Sequence, residues 1–543
     1  MLYLSVRNQN WLRRQDTTAI MSKLVPILAK RKAKMIDNIL ADPIGLTERK
    51  LESILEIHAN TAFGKDHKYK SIKTPEQFSE QVPLFDYSKM NPYFERVQQT
   101  PNLPIITADP VIWYVQSSGS TGKPKALPIS KAGMDDYTAG SSLLMWAYVN
   151  AAKEHAKLFD GTLLTFAAPA VLGDINGVPL GYMTGISREM IANRLLKALV
   201  KPGEDVFNMT DINEKLWAYA CYAVQNNVTG LAGITTLSLS FVRKMQNEYG
   251  VRLLEHFKGT KHEKKIREAL NDDGTLNLDS LWPNLVFIGA TGIDSDPYKS
   301  WIKETLPKAF LMDNYAGSEG LYGTTLTPNI DNGIQLLPNN NYFEFIPEKE
   351  IDKEHPKAIP LSEVKKGHRY EIVVTNMLGY TRYRIGDMLT FCETDPYSVH
   401  RIGRKGRVVN LAGEKLSDAH VNDGISAACR ETDARLADYT VLGTINGSRA
   451  HYTISLMVQN EISLEEFARA FDDSVSAANG EFKHSLEFGA LDPSIAIRME
   501  TSHTESIIMA NHIQAKSVPL SMADESMMAV SSSHSGEVIE GGV

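Results

Sequence analysis

A chain of 543 residues is too long for one ordinary hydrophobic core, so we expect two or more domains. Its hydrophobic residues (43%) and charged residues (22%) occur in the proportions of a soluble globular protein. The 65 acidic and 57 basic residues give a net charge of −8, which argues against broad, nonspecific binding to nucleic acid.

Three scattered cysteines, Cys221, Cys392 and Cys429, form neither a disulfide framework nor a Cys-x-x-Cys metal pair. We interpret them as buried free thiols in a reducing compartment. Apolar runs stay shorter than the roughly 18 residues of a membrane-spanning helix. At the start of the chain an apolar patch precedes the charges, which is the wrong order for a secretory signal. These features predict a cytoplasmic protein with no membrane partner.

In the first part of the chain, helical and strand-like patterns alternate. Apolar spacing predicts helices over 21–40 and 46–64, the second with Thr47 as its N-cap and Gly64 as its stop. Runs of β-branched and aromatic residues predict strands at 111–115, 126–130, 163–168, 284–290 and 309–312. Further helical patterns lie between these strands, at 212–226 and 236–246. This alternation predicts an α/β core.

From residue 369 the pattern changes to short strands in quick succession. Asn446-Gly447 between two alternating apolar runs predicts a β-hairpin, and Ser463 with Glu466 predicts a capping box at a helix start. We therefore expect a smaller α+β domain after the α/β core. Residues 521–543 lack an apolar period and are predicted to be disordered.

The stretch Ser117–Lys125, SSGSTGKPK, concentrates hydroxyls, flexible backbone and positive charge directly after a predicted buried strand. Small residues let backbone N–H groups approach a phosphate, while hydroxyls add donors and lysines add charge. Only two residues separate Gly119 from Gly122, and Pro124 follows Lys123, so this is not a Walker A loop. The stretch predicts a phosphate-binding loop, and a flexible surface loop is the alternative.

A second polar stretch, 314–320 (NYAGSEG), also follows a predicted strand. Tyr315 has the ring to stack on a base, and the Ser318 hydroxyl can donate to a phosphate. Glu319 offers the oxygen ligands that Mg²⁺ prefers, and Mg²⁺ often bridges nucleotide phosphates. An ordinary polar turn is the alternative interpretation.

Two more stretches carry charged candidates. In 383–389 (YRIGDML), Asp387 after a glycine turn can accept hydrogen bonds from ribose hydroxyls, unless it is a structural aspartate at a strand end. In 403–415 (GRKGRVVNLAGEK), Arg404 lies where the pattern changes and is a candidate hinge residue that reaches ribose or phosphate. A solvated basic turn is the alternative there.

In this order, the four stretches resemble the adenylate-forming superfamily of acyl-CoA synthetases, peptide-synthetase adenylation domains and luciferases. The closer similarity is to the Gretchen Hagen family of acyl acid–amido synthetases, and it extends from residue 25 to residue 520. The segments that carry it are 82–97, 233–245, 281–292, 314–323, 383–389, 413–418 and the Gln-x-Lys segment in 513–519.

The resemblance implies a large N-terminal ATP- and acyl-binding domain over 25–402 and a small mobile C-terminal domain over 403–520. Residues 1–24 then form an N-terminal extension and 521–543 a tail. The implied cofactors are ATP and Mg²⁺, and the implied partners are a small-molecule carboxylic acid and an amino acid. A carboxylate attacks the α-phosphate of ATP to give acyl-adenylate and pyrophosphate, and an amine then attacks the acyl carbon and releases AMP.

The resemblance also implies roles for single residues. Ala290, Thr291 and Gly292 line the adenine through their backbone, Tyr315 stacks on it, Asp387 binds the ribose and Arg404 lies near the hinge. Ser318 contacts the α-phosphate, Glu319 binds Mg²⁺, and Lys516 steadies the charge that passes between carboxylate and phosphates. Lys516, Glu319 and Lys125 are the predicted catalytic residues. The predicted phosphate cradle consists of Ser117, Ser118, Gly119, Ser120, Thr121, Gly122 and Lys125.

The acyl pocket is predicted from 165–185 and from the helix that begins near Thr235, which we expect to be a polar contact to the substrate. Apolar helical spacing is also typical of plain core. The phosphate loop is closer to the general superfamily loop than that of the plant members, and 409–418 differs from their hinge. An acyl-CoA ligase therefore stays open as an alternative, as does a non-catalytic adenylate-binding relic. The sequence identifies no general base for the amine.

Overall fold

The computed structural model describes residues 14–117, 125–191, 197, 200–292, 295–328, 333–404, 408–412, 414, 416–446, 449–487, 489–500, 502 and 520–522. Over these ranges, α-helices surround one large mixed β-sheet and three smaller sheets. The α-helices are α1 Arg14–Ala41, α2 Pro43–His58, α3 Ala62–Asp66, α4 Pro75–Gln81, α5 Tyr87–Gln99, α6 Lys131–Ser141, α7 Leu143–Ala151, α8 Met183–Glu189, α9 Glu204–Phe207, α10 Ile212–Gln225, α11 Thr235–Asn247, α12 Gly250–His256, α13 Glu263–Ala269, α14 Leu278–Leu281, α15 Lys299–Thr305, α16 Asp418–Thr432, α17 Leu464–Ala478 and α18 Gly480–Glu487.

The strands confirm the predicted change from an α/β to an α+β pattern along the chain. They are β1 Val111–Ser117, β2 Lys125–Ser130, β3 Thr162–Phe166, β4 Gly173–Ile175, β5 Val178–Gly181, β6 Val200–Lys201, β7 Val228–Ile234, β8 Phe287–Thr291, β9 Phe310–Gly317, β10 Gly320–Thr324, β11 Ile334–Leu336, β12 Asn341–Pro347, β13 Ile359–Pro360, β14 Arg369–Asn376, β15 Tyr383–Thr394, β16 Tyr397–Arg404, β17 Val408–Val409, β18 Leu416–Ser417, β19 Leu436–Asn446, β20 Arg449–Val458, β21 Ile495–Arg498 and β22 Leu520–Met522.

The large sheet has the order β13-β12-β14-β15-β16-β11-β10-β9-β8-β7-β3-β6. Strands β6, β3, β7, β8 and β9 run parallel to their neighbours, whereas the pairs from β9 to β13 are antiparallel. A second sheet, β2-β1-β5-β4, stands apart from it and ends in an exposed hairpin between β4 and β5. Ligands of parallel sheets bind outside the carboxyl ends of the strands, so the β7–β9 edge is the place to look for a site.

The predicted start and stop of the second helix are both wrong. Helix α2 begins after Asp42, whose side chain accepts a hydrogen bond from the Gly45 N–H, and Pro43 occupies its first turn. Thr47 lies inside α2, buried, where its hydroxyl donates to the Asn341 carbonyl (2.9 Å) and accepts from the Phe343 N–H (3.1 Å). Thr47 thus fastens α2 to strand β12 across the chain.

Glycine 64 does not end α2, which stops at His58. It lies instead within the short helix α3, where Thr61 is the N-cap and accepts from the Gly64 N–H at 2.9 Å. An added Cβ at Gly64 would lie 2.2 Å from the His58 carbonyl oxygen, so the glycine permits close packing of the two helices.

The predicted hairpin is confirmed, and of the capping box predicted at Ser463 and Glu466 only the N-cap bond is present. Strands β19 and β20 pair antiparallel up to Asn446 and Arg449, on either side of the predicted turn. Ser463 is the N-cap of α17 and its hydroxyl accepts from the Glu466 N–H at 3.2 Å. A full capping box, with both reciprocal bonds, occurs at Ser417 and His420 at the start of α16.

The small C-terminal sheet, β21-β20-β19-β22, packs with α16 to α18 against the helices of the large domain. One buried apolar cluster runs from α10 and α11 of the large domain into β19, β20 and α17. Arg243 of α11 donates to the Ala437 carbonyl of β19 at 2.5 Å, and the rings of Tyr298 and Tyr439 lie 6.4 Å apart.

Helix α1 begins at Arg14 and crosses the predicted boundary at residue 24. Among the residues placed by the structure, no helix is long and apolar enough to cross a membrane.

Candidate active site

Three neighbouring parallel strands end at the same edge of the large sheet. Strand β7 leads into Thr235, β8 ends at Thr291, and β9 ends at Gly317, just before Ser318 and Glu319. The register aligns the ends of β7 and β8, since Ile234 faces Thr291, whereas β9 continues to Gly317 beyond Asn314, the residue that faces Thr291. The fold therefore brings together residues that are far apart in sequence and that were predicted to contact substrate, adenine and phosphate.

Thr235 is buried, and its hydroxyl is bonded to the backbone of the predicted adenine segment. The hydroxyl donates to the Thr291 carbonyl at 3.0 Å and accepts from the Thr291 N–H at 2.7 Å. The side chain is 1% exposed. Thr235 thus joins the first residue of α11 to the last residue of β8.

The predicted adenine segment leaves the sheet directly after this contact. Ala290 is buried in β8 and Thr291 is half-buried at its end. Gly292 has φ of +110°, a conformation that side-chain-bearing residues rarely adopt, and an added Cβ would meet no atom within 4 Å. The space on the side where a Cβ would stand is therefore empty of described atoms.

The turn between β9 and β10 presents Ser318 and Glu319, both half-buried. Asn376 holds this turn, because its side-chain amide donates to the Glu319 carbonyl at 2.9 Å and its own oxygen accepts from the Leu378 N–H at 3.1 Å. At Gly317 an added Cβ would lie 3.1 Å from both the Glu319 Oε2 and the Tyr322 hydroxyl. A side chain at this position would therefore crowd the Glu319 carboxylate and the Tyr322 hydroxyl.

Tyr315 and Asp387 meet although 72 positions separate them. The Tyr315 hydroxyl donates to Asp387 Oδ2 at 3.0 Å, and the two residues are 3% and 4% exposed. The predicted adenine-stacking ring and the predicted ribose carboxylate are therefore one hydrogen-bonded unit. This pairing gives the carboxylate a fixed orientation.

The sequence predicted a glycine turn before Asp387, but Gly386 lies inside a strand. Gly386 lies within β15, which runs on to Thr394, and its φ of +79° marks an irregularity where β15 carries extra residues opposite β14. Bulges of this kind redirect side chains at functional sites. Arg404, predicted at the hinge, ends β16 and pairs with Asp387 in the backbone register.

The predicted phosphate loop joins two paired strands. Ser117 at the end of β1 and Lys125 at the start of β2 face each other in antiparallel register. The Lys125 ammonium lies 4.0 Å from the centre of the Tyr87 ring. Such a contact contributes on the order of 1 kcal/mol, less than a charged hydrogen bond to phosphate. Of the predicted loop and catalytic residues, the following lie outside the described residues: Ser118, Gly119, Ser120, Thr121, Gly122 and Lys516.

Three residues around Glu319 were not predicted from the sequence. Asn376 was missed because its partner lies 57 positions away. Tyr322 and Tyr380 are 1% and 0% exposed, and neither hydroxyl has a hydrogen-bond partner among the placed residues. Burial, and after it the charge of Glu319, raises the pKa of both hydroxyls well above its usual range. A tyrosine in an apolar run gives no local signal of such a role.

The residues at the turn fit a metal ion that arrives with a nucleotide. Within the ranges given above, no cluster of three or more His, Cys, Asp or Glu side chains could hold a metal by itself. Mg²⁺ usually keeps several waters and is held by one or two carboxylates together with substrate phosphates. The single, half-buried carboxylate of Glu319 suits this second mode.

Comparison with known proteins finds two domains of the GH3 family in the chain. Residues 32–271 match the GH3 family N-terminal domain and residues 334–399 match the GH3 family central domain, together more than half of the chain. Indole-3-acetic acid-amido synthetase GH3.2 of Arabidopsis thaliana is 24% identical over 480 residues, which cover 78% of this chain and 85% of that protein. Jasmonoyl–L-amino acid synthetase JAR4 of Nicotiana attenuata is 24% identical over 504 residues, covering 83% and 86%.

Solved structures share the fold at lower sequence identity. The GH3.15 acyl acid amido synthetase in complex with 2,4-DB superposes with a TM-score of 0.73 at 18% identity, over 92% of this chain and 95% of that one. A 2-hydroxyisobutyryl-CoA ligase in its postadenylation state superposes with a TM-score of 0.53 at 14% identity, over 92% of each chain. The match to the family's N-terminal and central domains, with this shared architecture, shows that the chain belongs to the GH3 family.

Proposed function

We propose that this protein is an ATP-dependent acyl acid–amido synthetase. It activates a carboxylic acid as an acyl-adenylate and transfers the acyl group to the amine of an amino acid. The observation that carries the proposal is the convergence at one sheet edge of the adenine segment after β8, the Ser318–Glu319 turn and the Tyr315–Asp387 pair. Membership of the GH3 family, whose relatives GH3.2 and JAR4 are named as amido synthetases, supports the same reaction.

In the first half-reaction a carboxylate oxygen bonds to the α-phosphorus, and the bond from that phosphorus to the β-phosphate bridging oxygen breaks. Pyrophosphate leaves with that electron pair. Catalysis of this step depends mainly on position and charge. We assign Asp387 to the ribose, the backbone of Ala290, Thr291 and Gly292 to the adenine, and Ser318 to the α-phosphate.

The remaining charges fall to groups around the phosphates. We assign Ser117 to Gly122 and Lys125 to the phosphates, Glu319 to the nucleotide's Mg²⁺, and Lys516 with Arg404 to the side of the small domain. When bound, Mg²⁺ supplies positive charge to the phosphate oxygens. Leaving the ring of Tyr87 frees the Lys125 ammonium to contact phosphate.

In the second half-reaction the amine nitrogen bonds to the acyl carbon, AMP leaves, and the nitrogen loses a proton.

We propose the domain limits 25–402 and 403–520, with the small domain moving between the two half-reactions. We propose that Thr235 positions the adenine segment and does not contact the substrate directly, because its hydroxyl already bonds the Thr291 backbone. The free cysteines Cys221, Cys392 and Cys429 support action in the cytoplasm.

ATP–pyrophosphate exchange with pooled carboxylic acids, with and without Mg²⁺, tests the first half-reaction. Exchange that requires both acid and Mg²⁺ is the expected result, and division of the pool then names the acid. A panel of amino acids against coenzyme A, with AMP release as the measurement, tests the acceptor. AMP release with coenzyme A alone would assign the protein to the acyl-CoA ligases. ATP binding without exchange in any pool would leave the adenylate-binding relic.

A further inference from the structure

Two buried tyrosine hydroxyls beside Glu319 lack hydrogen-bond partners in the described part of the chain. Tyr322 lies in β10, three residues after Glu319, and Tyr380 lies in the turn between β14 and β15. A buried hydroxyl without a partner is unfavourable, because it has given up its hydrogen bonds to water. Phenylalanine would fill the same volume without that cost, so packing alone does not account for either hydroxyl.

Both tyrosines lie close to the Glu319 turn. The Tyr322 hydroxyl and Glu319 Oε2 lie on the same side of Gly317, each 3.1 Å from the position of an added Cβ. Tyr380 is tied to the Glu319 turn through Asn376, whose N–H donates to the Tyr380 carbonyl at 2.9 Å and whose side-chain amide donates to the Glu319 carbonyl at 2.9 Å. After burial, the charge of Glu319 acts most strongly on both hydroxyls.

Either hydroxyl can donate a hydrogen bond to a carboxylate, because a tyrosine hydroxyl carries a proton at neutral pH. A carboxylate that binds a metal is itself usually held by hydrogen bonds from groups behind it. Glu319 receives such support at its backbone from Asn376. The hydroxyls of Tyr322 and Tyr380, both buried near this turn, have no partner among the described residues.

We propose that Tyr322 and Tyr380 are positioning residues whose hydroxyls donate hydrogen bonds to the Glu319 carboxylate when MgATP binds. They hold it in the orientation that contacts the nucleotide's metal ion. The proposal rests on the function proposed above, and it concerns residues of this chain that act through Glu319 without touching substrate.

The test compares nucleotide binding with and without metal. Affinity for α,β-methylene-ATP is measured by calorimetry in EDTA and again with Mn²⁺, and the ratio of the two dissociation constants is the metal-dependent gain. In Tyr322→Phe/Tyr380→Phe we expect an unchanged metal-free affinity and a gain about tenfold smaller than in the wild type, the lower end of effects for groups behind metal ligands. In Glu319→Gln the gain is small, and adding the two Phe substitutions reduces it no further.

Stability separates this role from a structural one. Because the two hydroxyls lack partners, the double Phe variant should unfold at the wild-type temperature or above it. The matched control is Tyr452→Phe, whose buried hydroxyl already bonds Glu414 in the small domain. We expect this variant to unfold at a lower temperature and to retain the full metal-dependent gain.

A wild-type gain in the double Phe variant would overturn the proposal. So would a wild-type protein that shows no metal-dependent gain, since Glu319 would then bind no nucleotide metal. Pyrophosphate exchange is measured separately on the wild type, so failure of this inference and failure of the proposed function give different results.

Discussion

At the scale of single residues, Asp472 is a carboxyl group whose burial ties stability to pH. It lies in α17 at 8% exposure, and its Oδ2 accepts from the Ser494 N–H at 2.9 Å while Oδ1 has no partner among the placed residues. Burial raises its pKa to about 6 against the lowering effect of the Ser494 hydrogen bonds. An unfolded aspartate titrates near 3.9. Between these values the native state keeps a proton that the unfolded state has lost, so stability falls as pH rises from about 4 to about 6.

Replacing Asp472 with Asn should therefore stabilise the protein above pH 6. The free energy of unfolding is expected to exceed that of the wild type by about 2 kcal/mol at pH 7, and the difference should vanish near pH 4. Urea denaturation of both proteins across this range measures it. Asp473→Asn, at the exposed neighbour, is the control and should leave the pH dependence nearly unchanged. A constant difference between wild type and Asp472→Asn at all pH values would contradict the assignment.

Lys516 is the residue on which the prediction for catalysis depends most. Removing one donor that stabilises charge in a transition state commonly costs on the order of 3 kcal/mol, or about a hundredfold in rate. We expect Lys516→Ala to slow pyrophosphate exchange by about that factor and to leave thermal unfolding unchanged. Equal exchange rates in variant and wild type would remove Lys516 from the first half-reaction.

At the scale of elements, the Thr235–Thr291 contact couples the start of α11 to the end of β8. Both polar groups of the Thr291 backbone bond the Thr235 hydroxyl. Gly292, the last residue of the proposed adenine segment, follows directly with a φ of +110°. The hydroxyl therefore sets where this segment leaves the sheet.

Thr235→Val keeps the shape of the side chain and removes the hydroxyl. Two buried backbone groups then lose a partner, and we expect ATP analogue affinity to fall about tenfold as the segment shifts. Thr235→Ser keeps the hydroxyl and should bind as the wild type does. Calorimetry on both variants decides the matter. A serine variant that binds nucleotide normally but loses affinity for the acid would indicate a direct contact with the acyl group instead.

The sequence predicts most elements but not their tertiary partners. Runs of β-branched and aromatic residues predict strands β1, β3 and β8, and Asn446-Gly447 predicts the β19–β20 hairpin. The start of α2 was misassigned because its true N-cap is Asp42, followed by Pro43 in the first turn. Thr47 resembles an N-cap, but its hydroxyl bonds β12, nearly 300 residues later in the chain. The Tyr315–Asp387 pair shows the same limit for the site, since each residue was predicted alone.

At the scale of the whole molecule, Arg243 links the two domains inside their buried interface, and Arg369 contacts His420 and Asp423 elsewhere across it. Arg243 is 3% exposed and donates to the Ala437 carbonyl at 2.5 Å and to the Ser502 hydroxyl at 3.3 Å. Its guanidinium lies 5.7 Å from the ring of Trp301. Arg435 and Glu304 form a further link at the surface. The buried link of Arg243 is stronger than this pair, because surface ion pairs contribute about 0–1 kcal/mol.

Arg243→Met should loosen the small domain without unfolding the large one. Loss of charged hydrogen bonds, each worth about 1.5–3 kcal/mol, is expected to speed amide exchange in β19 at least tenfold. Arg435→Met, the control across the same interface, should change exchange in β19 by less than threefold. Hydrogen exchange with mass spectrometry measures both. Slow exchange in β19 of Arg243→Met would show that apolar contacts alone hold the domains together.

The exposed hairpin between β4 and β5 gives the protein a place for a reporter group. Its turn carries Asn176 and Gly177, both with positive φ, and an added Cβ at Gly177 would meet no atom within 4 Å. Strand β5 pairs with β1 through Tyr114 and Val115, and β1 leads directly to Ser117. In this parallel register Leu180 faces Tyr114, so the hairpin turn lies level with the start of β1, at the opposite end of that strand from Ser117. A fluorophore attached to this hairpin would therefore follow the small sheet without entering the loop that we propose to bind phosphate.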